Sequence, residues 1–234
     1  MNEGVVANNG MVVSARQEAS KIGVDILKKG GNAFDAMLAT ELALAVSYPS
    51  AGNIGGGGFM VYRKSDGSIG ALDYRERAPI NSTSDMYLEE NMEIIEGLST
   101  IGGLSVGVPG TIAGIFEAHE RHGTLTINEL ISPVIELAKK GVIVTKKQKN
   151  RIKENRKYFK LVNKSKILFD DDFNTNDTIK FPNLASTLER IMEYGRDEFY
   201  KGETAKKLVE FIQNNGGIIT VSYTHLTLPT MYTV

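Results

Sequence analysis

The chain has 234 residues, 41% of them hydrophobic and 24% charged, and a formal net charge of −1. Such a balance suits one large globular domain or two small ones, excludes the disordered and fibrous classes, and supplies no general attraction to nucleic acid or an anionic membrane. The absence of cysteine removes a disulfide framework, a thiolate zinc site and a cysteine nucleophile, and leaves the cellular compartment open.

The opening seven residues have neither a basic start nor a long apolar core, so no secretory leader is visible. No later stretch reaches the roughly 18 apolar residues of a membrane span. Met11-Val12-Val13 reads as a short buried strand. Residues 15–29 follow as an amphipathic helix with Ile22, Ile26 and Leu27 on one face, closed by Gly30-Gly31. Asn32 is placed to cap a second helix over 33–47, which is small and apolar nearly all round and therefore buried on most sides; Pro49 ends it. Next comes Asn53-Ile54-Gly55-Gly56-Gly57-Gly58-Phe59-Met60, leading into a strand predicted over 58–63 that returns through a turn at 64–68 to a second strand over 69–73. Glycines in a row give up packing and cost backbone entropy, so they mark a close approach of backbones, a φ above zero or the approach of a ligand. The first strand of the hairpin is the expected reason for them.

The second half is more helical. Pro109 sits where a first helical turn begins, and 111–122 carries Ile112, Ile115 and Phe116 at helical spacing. Thr126 and Glu129 have capping-box spacing ahead of a helix over 130–140 that stops at Gly141, and Pro133 should kink it or define its true first turn. Lysine and arginine are dense over 139–166, after which Asp170-Asp171-Asp172 reverses the sign. Further helices are predicted over 184–194, capped by Asn183, and over 203–214, ended by Gly216-Gly217. There is no internal repeat and no clear linker, so one domain is expected.

Several features could carry chemistry, and each has a plainer competitor. As a phosphate cradle the glycine run lacks the lysine and hydroxyl of a P-loop, and it precedes a strand where dinucleotide fingerprints lead into a helix. The basic segment lacks a helix face of arginines with interleaved aromatics, so a solvated face is favoured over a nucleic-acid surface. His119 and His122 have metal-ligand spacing with no partner to complete a set. The triple aspartate lacks the glycine turn and distal glutamate of a calcium loop. Asp73, Glu76 and Arg77 beside Arg75 could form surface ion pairs, and from pattern alone Arg75 is more often structural than functional.

The ordered series of motifs changes that weighting. Gly10 to Ala15, Leu27 to Ala36, Asn53 to Met60, Asp73-Tyr74-Arg75-Glu76-Arg77-Ala78-Pro79, Gly107-Val108-Pro109-Gly110-Thr111, Ala138 to Val144, Asp197 to Gly202 and Asn215 to Thr220 together resemble the start of the large subunit of γ-glutamyltranspeptidases, also called glutathione hydrolases. The likeness runs in colinear order over roughly residues 8–220. It implies a mixed α/β fold, part of a four-layer αββα N-terminal-nucleophile hydrolase sandwich, made as a precursor that cuts itself ahead of a threonine. That threonine would attack a γ-glutamyl amide such as glutathione and pass the acyl group to water or to an amine or peptide acceptor, its own α-amino group serving as base. Arg75, carried over from the matching motif, is the residue implied to hold the donor's α-carboxylate, for which a guanidinium offers two parallel charge-assisted hydrogen bonds. No cofactor or metal is implied, and the partner implied is the small subunit of the same precursor.

The departures are as informative. The nucleophile, the oxyanion donors and most donor-binding residues of the family fall outside this sequence, so no catalytic residue is assigned here and the chain alone is expected to be inactive. Residues 1–220 form the family-like part. Residues 221–234 have no family character and are expected to be foreign or frame-shifted; within them Thr224-His225 mimics a Thr-His pair of the family, but Tyr223 stands where the threonine nucleophile would be. Two other readings remain open: a non-catalytic binding or scaffold domain, and a related acylase with a different donor, which would have no need of an α-carboxylate clamp.

Overall fold

The computed structural model describes residues 4–220 and the backbone of Tyr232–Thr233. Helix α1, Gln17–Lys28, and helix α2, Ala33–Ser47, lie against each other. The Asn32 side chain accepts from the amides of Phe34 and Asp35 while the Asp35 carboxylate accepts from the Asn32 amide, so the second helix starts at the expected cap. Ten residues of α2 are buried, and it packs on α1, α3 (Thr111–His122) and α4 (Ile127–Lys140), which makes it the central helix. A small-residue helix that is apolar on every side has no other stable place.

Strands β1, Phe59–Arg63, and β2, Ile69–Asp73, form the expected antiparallel hairpin, with Phe59 opposite Asp73 and Arg63 opposite Ile69. Met60, Leu72 and Tyr74 point into the core, whereas Phe59 and Val61 are 66% and 83% exposed on the other face. Between the hairpin and α3, residues 77–106 are largely irregular, held by an antiparallel bridge between Arg77 and Val108. Strands β3, Val142–Ile143, and β4, Thr178–Ile179, make a second small sheet that pattern reading had missed, with α5, Lys146–Val162, between them in sequence. Helices α6, Pro182–Tyr194, α7, Arg196–Lys201, and α8, Glu203–Asn214, close the chain order, and the short strand β5, Tyr232–Thr233, pairs with Ala71 and Gly70.

Some expectations need correction. Met11-Val12-Val13 is not a strand: among the described residues none hydrogen-bonds to it as a neighbour, and Met11 and Val13 stand 48% and 82% exposed. A strand is defined by its ladder, and the groove between this segment and β1 holds none. Pro109 lies just outside α3, whose cap is Gly110. Asn183 is not the cap of α6; Phe181 occupies that position and Pro182 the first turn, where its missing N–H costs nothing. Pro133 neither starts nor ends α4, which begins at the Thr126–Glu129 capping box and ends at Gly141 with φ 92°. The basic helix α5 has no buried residue, as a solvated face requires, and Asp171 and Asp172 pair with Lys166 at 2.5 Å and Arg156 at 2.6 Å. The tail assignment falls on residues 221–234, which lie outside the described residues except for the backbone of β5.

Candidate functional site

The glycine run acquires its reason one turn of the hairpin later than expected. None of Gly55 to Gly58 has a left-handed φ, so unusual dihedrals are not why they are there. Close approach is. A Cβ on Gly57 would stand 2.5 Å from the Tyr74 carbonyl oxygen and 2.7 Å from the Glu76 amide, and one on Gly58 2.8 Å from the Tyr74 ring. Two further glycines complete the enclosure: a Cβ on Gly110 would overlap the Tyr74 carbonyl, and one on Gly114 would sit 2.3 Å from Tyr74 Cγ. The residue that needs glycines around it is therefore Tyr74, 6% exposed, at the end of β2. Its amide donates to Gly58 O at 2.9 Å, and its carbonyl accepts from Gly58 N at 3.3 Å.

These contacts also dispose of the phosphate cradle. The first amides of α3, those of Gly110 and Thr111, both donate to Gly56 O, at 2.7 and 3.0 Å, so the positive helix end is spent on the glycine run itself. Thr111 N and Gly110 N are thus part of the frame.

Arg75 follows Tyr74 directly. Its amide donates to Asp73 Oδ1 at 2.9 Å, and two residues on Arg77 N donates to Val108 O at 3.1 Å, so the backbone is tied on both sides of the arginine. The side chain is 60% exposed, with Cζ 5.8 Å from the centre of the Phe59 ring and Nε 3.1 Å from Glu76 Oε2. The Glu76 oxygen is buried and makes no hydrogen bond of proper geometry, so this is a charge contact rather than a directed bond. Among the described residues no hydrogen bond uses the two terminal nitrogens of Arg75. Arg75 lines a cleft of about 480 Å³ together with Glu41, Tyr48, Asn53, Glu76 and Thr111. An arginine on a tied backbone beside a cleft, with its terminal nitrogens unspent, can bind a carboxylate through two parallel bonds.

Glu41, on α2, forms the wall behind. Both its carboxylate oxygens lie 3.2 Å from the Tyr74 hydroxyl, which donates to them. Burial pushes the Glu41 carboxyl up to about 7, against the opposing effect of the Tyr74 hydrogen bond, and burial together with the Glu41 charge pushes the Tyr74 phenol up as well. Sequence reading missed Glu41. The signal was present as the one acid in the body of an otherwise apolar helix.

The remaining candidates do not join this site. His119 Nε2 is 2.7 Å from the Leu125 carbonyl, and His122 lies between the rings of Phe34 and Tyr62 at 4.3 and 5.0 Å, where burial lowers its imidazole. Among the described residues no group of three or more histidines and carboxylates could hold a metal ion. Of the expected ion pairs around Arg75, that with Glu76 is present, whereas Asp73 accepts from the Arg75 backbone amide and Arg77 contributes its backbone bridge to Val108.

Fold and site together define the class: a mixed α/β chain matching part of the N-terminal-nucleophile hydrolase structures, among them the cephalosporin acylase from Bacillus halodurans, with TM-score 0.82 and 28% identity over 100% of this chain and 45% of that one. More narrowly, the family described as Gamma-glutamyltranspeptidase matches residues 19–222, and the chain belongs to it. The glutathione hydrolase proenzyme of Pseudomonas sp. (strain A14) is 47% identical over 220 residues, covering 92% of this chain. The crystal structure of Helicobacter pylori γ-glutamyltranspeptidase superposes with TM-score 0.93 at 37% identity, over 98% of this chain and 66% of that one. The chain spans about 38% of the length of the Pseudomonas relative it matches. No helix among the described residues is long and apolar enough to cross a membrane.

Proposed function

We propose that this chain supplies the donor-carboxylate half of a γ-glutamyl transfer and hydrolysis site, with Arg75 as the clamp on the α-carboxylate of a glutathione-like donor. The observation that carries this reading is the Arg75 side chain, exposed at 60% and anchored through a backbone fixed by Tyr74 and the Val108 bridge. The other half belongs to the downstream part of the same precursor: a threonine nucleophile activated by its own α-amino group, and oxyanion donors for the tetrahedral intermediate. The small subunit would complete an αββα sandwich by adding strands beside β1, where Phe59 and Val61 are uncovered and residues 11–13 face an open groove. By itself the 234-residue chain then turns over no γ-glutamyl anilide.

The test is kinetic. In the full precursor, Arg75→Lys keeps the charge but loses the fork, so the apparent affinity for the donor falls; an unchanged value removes the clamp assignment. A second reading, an acylase acting on another donor, is favoured by the likeness to the Bacillus halodurans enzyme. It predicts that Arg75→Lys is silent while acyl donors lacking an α-carboxylate are good substrates.

A further inference from the structure

An asparagine followed by glycine is chemically exposed, because no Cβ shields the glycine amide from the side chain before it. The amide nitrogen, on losing its proton, adds to the asparagine Cγ; ammonia leaves and a five-membered succinimide remains. Water then opens the ring at one carbonyl or the other, giving aspartate or isoaspartate. An aspartate before glycine and an asparagine before serine close the same ring, the aspartate with loss of water. Closure needs an amide that is not spent on an acceptor and a side chain free to turn over it.

The chain contains the tripeptide Asn-Asn-Gly twice, at 8–10 and at 214–216, together with Asp66-Gly67 and Asn81-Ser82. At the second tripeptide both reacting groups are held: the Gly216 amide donates to Gln213 O at 3.0 Å, and Asn215 Nδ2 donates to Phe211 O at 2.7 Å. The Gly67 amide donates to Lys64 O at 3.0 Å, while Asp66 Oδ1 accepts from the amide and hydroxyl of Ser68. The Ser82 amide donates to Pro79 O at 2.9 Å. Asn9-Gly10 is the exception. Among the described residues no hydrogen bond uses the Gly10 amide or the Asn9 side chain, and residues 4–10 are exposed throughout.

We propose that Asn9 is a site of spontaneous deamidation, the one asparagine-glycine pair that this fold leaves free to react, and that an isoaspartyl link between residues 9 and 10 is among the products. Two pairs of identical local sequence are thus separated by their hydrogen bonds alone. The place gives the change a consequence. Asn9 lines the groove shared with Val12, Val13, Phe59 and Val61, the surface proposed above to receive the small subunit. An isoaspartyl link lengthens the main chain there by one methylene and sets a new negative charge beside apolar side chains. The deamidation itself does not rest on that reading of the groove.

The test ages the 234-residue chain in buffer and in concentrated urea, at mildly acid and mildly alkaline pH, and follows the tryptic peptides 1–16 and 208–234 by mass spectrometry. Isoaspartate is read separately, by enzymatic transfer of a methyl group from S-adenosylmethionine to the isoaspartyl carboxylate. In buffer, residue 9 is expected to convert to the acid, faster at alkaline pH, with methylation appearing in peptide 1–16. Residue 215 should convert more slowly by about tenfold or more, because an amide bond and a side-chain bond must first be released. In urea the two sites should react at similar rates, so that unfolding accelerates Asn215 and leaves Asn9 nearly unchanged. Asn9→Gln, whose ring would be six-membered and slow to close, should remove the methylation of peptide 1–16. Equal rates at the two sites in buffer, an acceleration of Asn9 on unfolding as large as that of Asn215, or methylation of peptide 1–16 that survives Asn9→Gln would each overturn the proposal.

Discussion

An alanine scan of the four-glycine run tests whether the run exists to seat Tyr74. At Gly55 an added Cβ would meet nothing closer than Asn53 Oδ1 at 3.7 Å, an ordinary contact, and its φ is not left-handed. Gly55→Ala should therefore be neutral or stabilise by up to about 0.5–1 kcal/mol through the unfolded state. At Gly56 the close neighbour is again Asn53 Oδ1, at 2.8 Å, the mobile end of a side chain, so a cost of about 1 kcal/mol is expected. Gly57 is different in kind, because the atoms at 2.5 and 2.7 Å are backbone atoms of Tyr74 and Glu76. Relief requires separating the run from β2, which sacrifices packing and the Gly58–Tyr74 hydrogen bonds, a loss of roughly 3–5 kcal/mol. Gly58→Ala meets the ring at 2.8 Å, and because Gly114 closes the opposite side the ring cannot step away, giving roughly 2–3 kcal/mol. Urea unfolding followed by circular dichroism measures the series, with each kcal/mol worth about 2–4 °C in a thermal scan at this chain length. Equal costs at Gly55 and Gly57, or none at Gly57 and Gly58, would refute the argument that the glycines are there for close approach to Tyr74.

Three other outcomes follow from the same geometry. Asp35 is fully buried and accepts from the amides of Asn32, Thr124 and Leu125, so Asp35→Asn turns a donor towards donors and should cost about 2–4 kcal/mol in urea unfolding. Tyr200, also fully buried, donates to Pro109 O at 2.9 Å and accepts from Ala113 N at 3.1 Å; Tyr200→Phe strips both and should lower stability by about 1–3 kcal/mol. Glu41 gives a pH dependence whose sign is fixed: its carboxyl is raised from 4.5 to about 7 in the folded state, so the folded chain keeps a proton that the unfolded chain has released. Wild-type stability therefore falls as pH rises from about 4.5 to about 7, by at most about 3.5 kcal/mol at roughly 1.4 kcal/mol per pH unit, and levels off above. Glu41→Gln lacks that slope, and parallel curves for the two proteins would contradict the assignment.

What could be read from the sequence was what is local. The cap at Asn32, the capping box at Thr126 and Glu129, the apolar run of α2 and the turn of the hairpin each lie within one stretch of chain, and all four stand where their patterns place them. What could not be read depends on partners distant in sequence. Residues 11–13 have the composition of a strand and no ladder, because a strand is a relation between segments. The β3–β4 ladder joins pairs of residues separated by the whole of α5, too short for any periodicity to show. The glycine run was visible at once, but its reason was not: Tyr74 is enclosed by Gly57, Gly58, Gly110 and Gly114, and no pattern announces that glycines from two segments close on one ring. Glu41 was passed over for the same cause, its partner being 33 residues away.

The direct measurement of the proposed Arg75 clamp is donor kinetics of the full precursor with a γ-glutamyl anilide, comparing wild type, Arg75→Lys and Arg75→Ala. Loss of a charge-assisted bidentate contact is worth roughly 1.5–3 kcal/mol, so the donor KM should rise roughly 10- to 100-fold in Arg75→Lys and further in Arg75→Ala, with autoprocessing intact. A processed enzyme whose donor KM is the same in all three would contradict it.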